Sequence, residues 1–390
     1  MREAERVVAF ELSQTMAEVS PLIFEPLSKP RVWGGQRLRE LLGKELPTDG
    51  PIGESWELVD LDDNQSVVRV GPARGRRLHE LVNEWGRDLL GTAEPVDGRF
   101  PLMVKFLDAR EPLSVQVHPR RTETIGGHAT ARVKHEMWYV LADAPGAVIY
   151  RGLKPGVDRQ ALAKTLAAGN VESLLQTHPA KPGSPFHLPA GTVHALGGGI
   201  VVAEVSSVSD TTYRLYDWDR IDPATGRPRP LHVEEALDAI DFGPFDASAE
   251  RRSHVTSMWT TVTRLVTCES FAVERVRMTG GVEMEIPYAD LVIWIVLEGR
   301  GQIRYKGGRV GAVSDRDPPL AFKFGDVVLL PAALREAVLK TDDDCLWLEI
   351  TIPGRGELAG SEPRGRTRLS EPRPSGGKEF VQISPPGRGT

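Results

Sequence analysis

The sequence predicts a mainly β protein built from two β-barrel or jelly-roll domains with small helical insertions, and three observations carry that prediction. Short segments rich in apolar and β-branched residues recur at close, regular spacing, divided by turn residues. The 390 residues include 39 glycines and 30 prolines, well above the roughly 12 % usual for the pair, so the chain turns often and a helical bundle or coiled coil is disfavoured. Finally, Gly183-Ser-Pro-Phe-His-Leu-Pro189-Ala-Gly191-Thr-Val-His194 is echoed in register by Gly325-Asp-Val-Val-Leu-Leu-Pro331-Ala-Ala333-Leu-Arg-Glu336. Trp294-Ile-Val-Leu echoes Trp138-Tyr-Val-Leu in the same way.

In chain order, residues 1–20 read as a polar N-terminal extension. A first domain follows over 21–250. Within it, 76–91 carries Leu78, Leu81, Val82, Trp85, Leu89 and Leu90 at helical spacing. Strands are expected at Phe100–Leu107, Leu113–Val117 and Met137–Leu141. The stretch 158–177 reads as two short helices broken near Gly169-Asn170, and strands resume at Phe186–Leu188 and Ile200–Val205. A second domain over 255–353 is strand after strand: Phe271–Val276, Leu291–Leu297, Gln302–Tyr305, Val327–Leu330 and Leu346–Ile352. Residues 354–390 are rich in Gly, Pro and Arg without apolar periodicity, so a disordered tail is expected.

Composition excludes several classes. With 40 % apolar residues the chain is not globally disordered, and its longest apolar run, Leu291–Leu297, falls far short of the ~18 residues of a membrane span. The first residues lack the apolar core of a secretory signal. Two cysteines, Cys268 and Cys345, cannot build a disulfide framework, which makes a reducing, cytoplasmic setting the expectation. A net charge of −6 argues against nucleic acid or an anionic membrane as the main partner. The tail, with six Arg and one Lys against four acidic residues, could touch a polyanion, but a solvated extension accounts for it as well.

The chemistry concentrates in three places. In Leu113-Ser-Val-Gln-Val-His118-Pro, a strand puts Ser114, Gln116 and His118 on one face and Val115 and Val117 on the other. Lys134-His-Glu136 opens a strongly apolar strand; alone it could be a solvated strand end. In the third place Gly183 permits a tight turn, Pro189 and Gly191 reverse the chain, and His194 re-enters facing inward. That pattern resembles the second motif of the cupin superfamily, whose first motif is commonly H-x-H followed by Glu. Here Gln116 replaces the first His, and Gly198 stands where Asn often closes the second motif. The resemblance implies a bicupin fold in which Gln116, His118, Glu136 and His194 converge as an N2O2 metal site. Two imidazoles, an amide oxygen and a carboxylate suit Zn2+, one per chain. His187 lies inside the strand before the Pro-x-Gly turn and is expected to be structural, while His79, His128, His178, His232 and His254 have no partner at ligand spacing.

Longer motifs narrow the resemblance. Trp33-Gly-Gly35, Ile52-Gly-Glu-Ser-Trp-Glu57, Phe100-Pro-Leu with Lys105-Phe-Leu-Asp-Ala109, Glu136-Met-Trp-Tyr-Val-Leu, and Ser209-Asp-Thr-Thr-Tyr-Arg214-Leu-Tyr-Asp-Trp-Asp-Arg220 together resemble the short bacterial branch of the type I mannose-6-phosphate isomerases. The match is dense over about 21–245 and weak over 255–353. It implies that Gln116, His118, Glu136 and His194 hold zinc, that Arg214 is the active-site arginine, and that Lys134 and Glu204 line the pocket as catalytic residues. Ser114, Lys134 and Arg214 are then the expected substrate contacts. Val133 and His135 depart from the family's usual residues beside Lys134 and bear on its pose.

Interconverting mannose 6-phosphate and fructose 6-phosphate moves a proton between C1 and C2 through an enediol(ate), which needs an acid/base group and a cation near the developing oxyanion. The phosphate dianion needs local cations, because the chain is net negative. Alternatives at the same residues are an ion pair of Arg214 with Asp210 or Asp217, and Glu204 as proton shuttle or as buried partner of a base. Alternatives at the level of the chain are an Fe2+ cupin oxygenase, disfavoured by Gln116, and a non-catalytic sugar-binding cupin. The second domain, with Glu336 at the place of His194, reads as a degenerate cupin that packs against the first, or else holds a regulatory pocket.

Overall fold

The computed structural model describes residues 18–125, 128–245, 250, 252–306, 319–353 and 373–374. Most of the predicted extension, 1–17, and of the predicted tail, 354–372 and 375–390, lies outside these residues. Arg373–Pro374 pairs as a two-residue strand against Val282 and Glu283. At the other end Val19 and Ser20 are already buried.

The chain is mainly β, as predicted, and forms two sandwiches whose sheets stay separate rather than closing into barrels. In the first, a six-stranded sheet runs in the order Pro185–Leu188, Glu136–Ala142, Ile200–Ser207, Leu102–Ala109, Leu27–Gly35, Ile52–Leu58. A five-stranded sheet faces it, ordered Leu175–Pro179, Val148–Leu153, His194–Leu196, Val115–Val117, Tyr213–Tyr216. The second sandwich repeats the plan with a seven-stranded sheet, including Val292–Glu298 and Cys345–Thr351, and a five-stranded sheet, including Val282–Glu285 and Arg335–Thr341.

Strand alternation explains how the layers stack. Trp138, Val140 and Val202 point inward and share a core with Ile149 and Leu196 of the facing sheet. Their neighbours Met137, Tyr139, Val201 and Ala203 point the other way, into one continuous cluster with Ile293, Ile295 and Leu348 of the second sandwich. The two larger sheets are therefore back to back. This is why Leu102–Ala109 is buried at every position and is apolar on both faces apart from Lys105 and Asp108, rather than alternating.

Helices form within both predicted stretches, and two more, Arg37–Leu42 and Val233–Ala239, were not predicted. Leu78–Trp85 buries Leu78, Leu81, Val82 and Trp85, and Glu80 accepts a hydrogen bond from the Arg77 backbone N–H at 3.2 Å. Sequence periodicity suggests one helix to residue 91, but Gly86, at φ 47°, interrupts it before Arg87–Leu90. Asp158 caps Arg159–Ala167 by accepting from Ala161 N, and a 3-10 turn follows at Val171–Leu174 after the predicted break.

Several strands went unpredicted, among them Leu27–Gly35, Ile52–Leu58 and Thr260–Thr267. Leu22–Ile23 was placed with the first domain but pairs with the second sandwich, Leu22 with Leu329 and Ile23 with Val328, contacts 307 and 305 residues apart that no local pattern encodes. Polar contacts cross at the same place. Lys44 Nζ donates to Glu57 Oε2 at 2.8 Å and to the Gly325 carbonyl at 2.7 Å, and Arg69 pairs with Asp326 at 2.8 Å. No helix among the described residues is long and apolar enough to cross a membrane.

Candidate metal centre and substrate pocket

Sheet register assembles the site as two facing rows. In the five-stranded sheet, His194 lies opposite Gln116, and Gln116 opposite Arg214, on three adjacent strands. In the six-stranded sheet, Trp138 lies opposite Glu204, Glu204 opposite Lys105, and Lys105 opposite Trp56. Two residues before Trp138, on the same face, is Glu136. The turn that delivers His194 uses Gly183 at φ 84° and Gly191 at φ 86°; at Gly191 a Cβ would come within 2.6 Å of the Arg120 side chain.

His118, Glu136 and His194 converge at the junction of the rows, each almost fully buried. Glu136 Oε2 lies 3.2 Å from His118 Nε2 and 3.4 Å from His194 Nε2. Each imidazole donates from Nδ1 to a backbone carbonyl, His118 to Thr211 at 2.9 Å and His194 to Thr192 at 2.8 Å, which assigns the tautomer and turns both Nε2 lone pairs inward. Lone pairs of a carboxylate and an imidazole then face each other at 3.2 Å. His118 Nε2 and Glu136 Oε2 indeed have no hydrogen-bond partner. Buried acceptors so arranged repel unless a cation lies among them, so these residues fit a metal ion. Gln116 is adjacent, its Nε2 3.2 Å from His194 Nε2 and its Oε1 accepting from Ser114 Oγ at 3.5 Å. Rotating that amide by half a turn, an assignment hydrogen-bonding alone decides, directs Oε1 inward.

Burial sets the electrostatics and the neighbours modify it. Burial depresses the His118 imidazole to about 4 against the pull of Glu136. Glu136 is pushed up by burial, but Lys134 and His118 outweigh this and hold it well below the usual carboxylate range. Lys134 forms an ion pair with Glu136 and lies 3.9 Å from Glu204 Oε1; burial works against its ammonium, but the two carboxylates raise its pKa. The Glu204 carboxyl is raised by burial and by Glu136, against Lys105 and Lys134. It accepts from Trp138 Nε1 at 3.2 Å and from Ser206 Oγ at 3.4 Å. In metal-free protein the folded state keeps His118 neutral while the unfolded chain protonates it near 6.5. Stability is therefore full above about pH 6.5 and falls progressively toward pH 4. The loss is on the order of 3 kcal/mol, measurable by denaturant titration in chelator at several pH values; a pH-independent midpoint over this window would contradict it.

All the predicted site residues except the two histidines line one open pocket with about 1170 Å³ of empty space. Ser114, Gln116, Lys134, Glu136, Glu204 and Arg214 share its walls, and the histidines lie directly behind. Arg214 is half-buried, donates from Nη1 to the Pro230 carbonyl at 2.7 Å and leaves Nε without a partner. The ion pair suggested as an alternative does not form: Asp217 is held by Arg229 at 2.5 Å, and among the described residues Arg214 has no ion pair. Lys134 points into the site despite its unusual neighbours, because His135 turns outward to Glu269 at 2.7 Å. His187 pairs in register with Met137, on the face opposite the site, and its ring stacks on His135. His79, His178, His232 and His254 are held elsewhere.

Sequence reasoning missed Lys105, Glu54, Arg31 and Arg229 as pocket residues. Lys105 Nζ lies 3.5 Å from Glu204 Oε1 and over the Trp56 ring. A lysine inside an otherwise apolar strand was the available signal. Glu54, by contrast, sits in an alternating strand where nothing local separates it from a surface acid; Arg31 pairs with it at 2.8 Å.

Two cupin-type sandwiches, one of them with a buried His–Glu–His cluster at the foot of a cation-lined pocket, define a small-molecule enzyme whose site can hold a metal. The family described as phosphomannose isomerase type I, catalytic domain, matches residues 23–139. A mannose-6-phosphate isomerase of Streptococcus mutans is 36 % identical over 321 residues, covering 82 % of this chain and 94 % of that one. Mannose-6-phosphate isomerase ManA of Bacillus subtilis is 35 % identical over 328 residues, covering 84 % and 98 %. The crystal structure of the mannose 6-phosphate isomerase from Bacillus subtilis superposes with a TM-score of 0.74 at 32 % identity, over 85 % of this chain and all of that one. The apo form from Salmonella typhimurium shares the fold, with a TM-score of 0.61 at 17 % identity over 86 % and 99 %. The chain belongs to the type I mannose-6-phosphate isomerase family and is an enzyme of that activity.

Proposed function

We propose that the chain interconverts mannose 6-phosphate and fructose 6-phosphate by 1,2-proton transfer, with one Zn2+ held by Gln116, His118, Glu136 and His194. The observation that carries this is the pair of unpartnered, mutually facing acceptors His118 Nε2 and Glu136 Oε2 beside a pocket lined with cations. Zn2+ there would supply a redox-inert positive charge that polarises the sugar carbonyl. Arg214, with no carboxylate partner, takes the dianionic phosphate or steadies the enediolate. Ser114 and Lys134 orient the sugar hydroxyls. Glu204, whose carboxyl pKa is raised by burial and by Glu136, accepts the C2 proton on a carboxylate oxygen and returns it to C1. Lys105 and Lys134 flank it with ammonium charge where the enediolate forms.

The first sandwich, 21–250, carries the chemistry. The second, 255–353, is a degenerate cupin with no metal ligands at the corresponding strand positions, Val292 standing where Glu136 does in the first. A cytoplasmic setting agrees with Cys268 and Cys345, both free thiols that burial pushes up to about 11, so neither is activated.

A coupled assay on zinc-loaded protein tests the reading. Turnover of mannose 6-phosphate is expected, and Glu204→Gln should lower kcat by about 10²–10⁴-fold, the range for a lost general base, with KM changed far less. Absence of turnover with either sugar phosphate would refute the assignment. A Glu204→Gln enzyme of near wild-type kcat would move proton transfer to another residue.

A further inference from the structure

The substrate pocket has a second end, away from the metal ligands. Arg214 stands on the edge strand of the five-stranded sheet, two strands from His194, about 10 Å at the usual strand spacing. Outside that edge runs the chain that follows the short hairpin of Ile221–Asp222 with Arg227–Pro228. It is tied to Arg214 at three points. The His232 N–H donates to the Arg214 carbonyl at 2.8 Å, the Arg214 N–H to His232 Nδ1 at 3.1 Å, and Arg214 Nη1 to the Pro230 carbonyl at 2.7 Å. Residues 223–228, 230 and 231 are exposed, whereas Arg229 between them is turned in and lines the pocket with Arg214. Its Nε and Nη2 donate to the buried Asp217 at 2.8 and 2.5 Å, which fixes the guanidinium side-on and leaves its Nη1–Nη2 end for a ligand.

We propose that Arg229 is a further substrate-binding residue that, with Arg214, clamps the 6-phosphate and so makes the pocket select phosphorylated over free hexose. Arg214, Arg220 and Arg229 gather around one buried carboxylate, Asp217, and Arg220 also reaches Glu111 at 3.6 Å. More guanidiniums than carboxylates leave the positive excess that a phosphate dianion needs. Burial and then the charge of Arg229 lower the Arg214 pKa, against Asp217; an anion between the two guanidiniums relieves that like-charge contact. The pocket's other carboxylates are engaged or solvated. Glu54, Glu136 and Glu204 pair with Arg31, Lys134 and Lys105, Asp222 accepts from the Ala224 N–H at 2.8 Å, and Asp210 is exposed. Metal ligands at one end and guanidiniums at the other suit a hexose whose reacting carbons and phosphate lie at opposite ends of its chain. The clamp rests on the reading of this pocket as the isomerase site.

The probe is D-sorbitol 6-phosphate, which has the phosphate but no carbonyl and so cannot turn over, titrated calorimetrically into the zinc-loaded full chain beside D-sorbitol. Binding of the phosphorylated probe alone is expected. Arg229→Gln combined with Asp217→Asn removes both charges and keeps a hydrogen-bonded pair. It should weaken that binding by roughly 10–100-fold, the loss of a charged hydrogen bond, and raise KM for mannose 6-phosphate in proportion, with kcat changed far less. Should that variant fail to fold, Arg229→Lys keeps the contact with Asp217 but not the free end of the fork and should weaken binding by about tenfold. No binding of sorbitol 6-phosphate to wild type, wild-type affinity in a folded variant, or a fall in kcat at unchanged KM would overturn the clamp. Binding that depends on Arg229 without turnover of either sugar phosphate by wild type would instead sink the isomerase reading and leave the clamp standing.

Discussion

His194→Ala is expected to lose isomerase activity by more than about 100-fold, the upper end of what loss of an outer-sphere partner of a metal costs, and to lower zinc content in step. The structural reason is specific. His194 Nε2 is one of two imidazole nitrogens turned onto Glu136 Oε2, at 3.4 Å, and its Nδ1 hydrogen bond to Thr192 fixes that direction. Alanine leaves Glu136 beside one imidazole and takes away the partner of the Gln116 amide. Elemental analysis and the coupled assay on the same preparations check the result. Full zinc stoichiometry in the variant would remove His194 from the ligand set, and retained activity at low zinc would separate the metal from the reaction.

Arg214→Ala should lower activity strongly while leaving zinc content untouched. A charged hydrogen bond contributes about 1.5–3 kcal/mol, and loss of a two-pronged contact with phosphate is expected to lower kcat/KM by roughly 10²–10³-fold. Arg214→Lys should recover only part of it, since an ammonium cannot reproduce the fork. The melting temperature should stay near wild type, because Arg214 has no ion pair among the described residues and Asp217 keeps Arg229. A large loss of stability would show instead that Arg214 holds the fold. An unchanged KM with reduced kcat would place the guanidinium at the enediolate rather than the phosphate.

How much of this was legible beforehand follows from the range of each signal. Gln116 and His118 could be put on one strand face because alternation is a two-residue property, and the structure places both at the site. His194 could be aimed inward because Pro189 and Gly191 specify a local reversal, and Gly191 does adopt the left-handed conformation. The break after residue 168 was readable from Gly169-Asn170. The break at Gly86 was not recognised, because the apolar spacing continues across it. Leu27–Gly35 contains Pro30 and two glycines, which mask a strand that survives on pairing with Ile52–Leu58.

The sequence by itself determined the β-rich class and the duplicated plan, and it singled out His118, Glu136 and His194, which meet in one buried cluster, since each rests on composition, short periodicity or motif order. Only the tertiary structure decided which of them meet. It set the register that lines up His194, Gln116 and Arg214, brought Lys105 against Glu204, and stacked the two large sheets back to back, because cross-strand pairing and face burial join residues far apart in the chain. The second sandwich shows the difference most clearly. Its departures from Glu136 and His194 are written in the sequence at Val292 and Glu336, whereas the pairing of Tyr288 and Trp347 with Glu349 exists only in space.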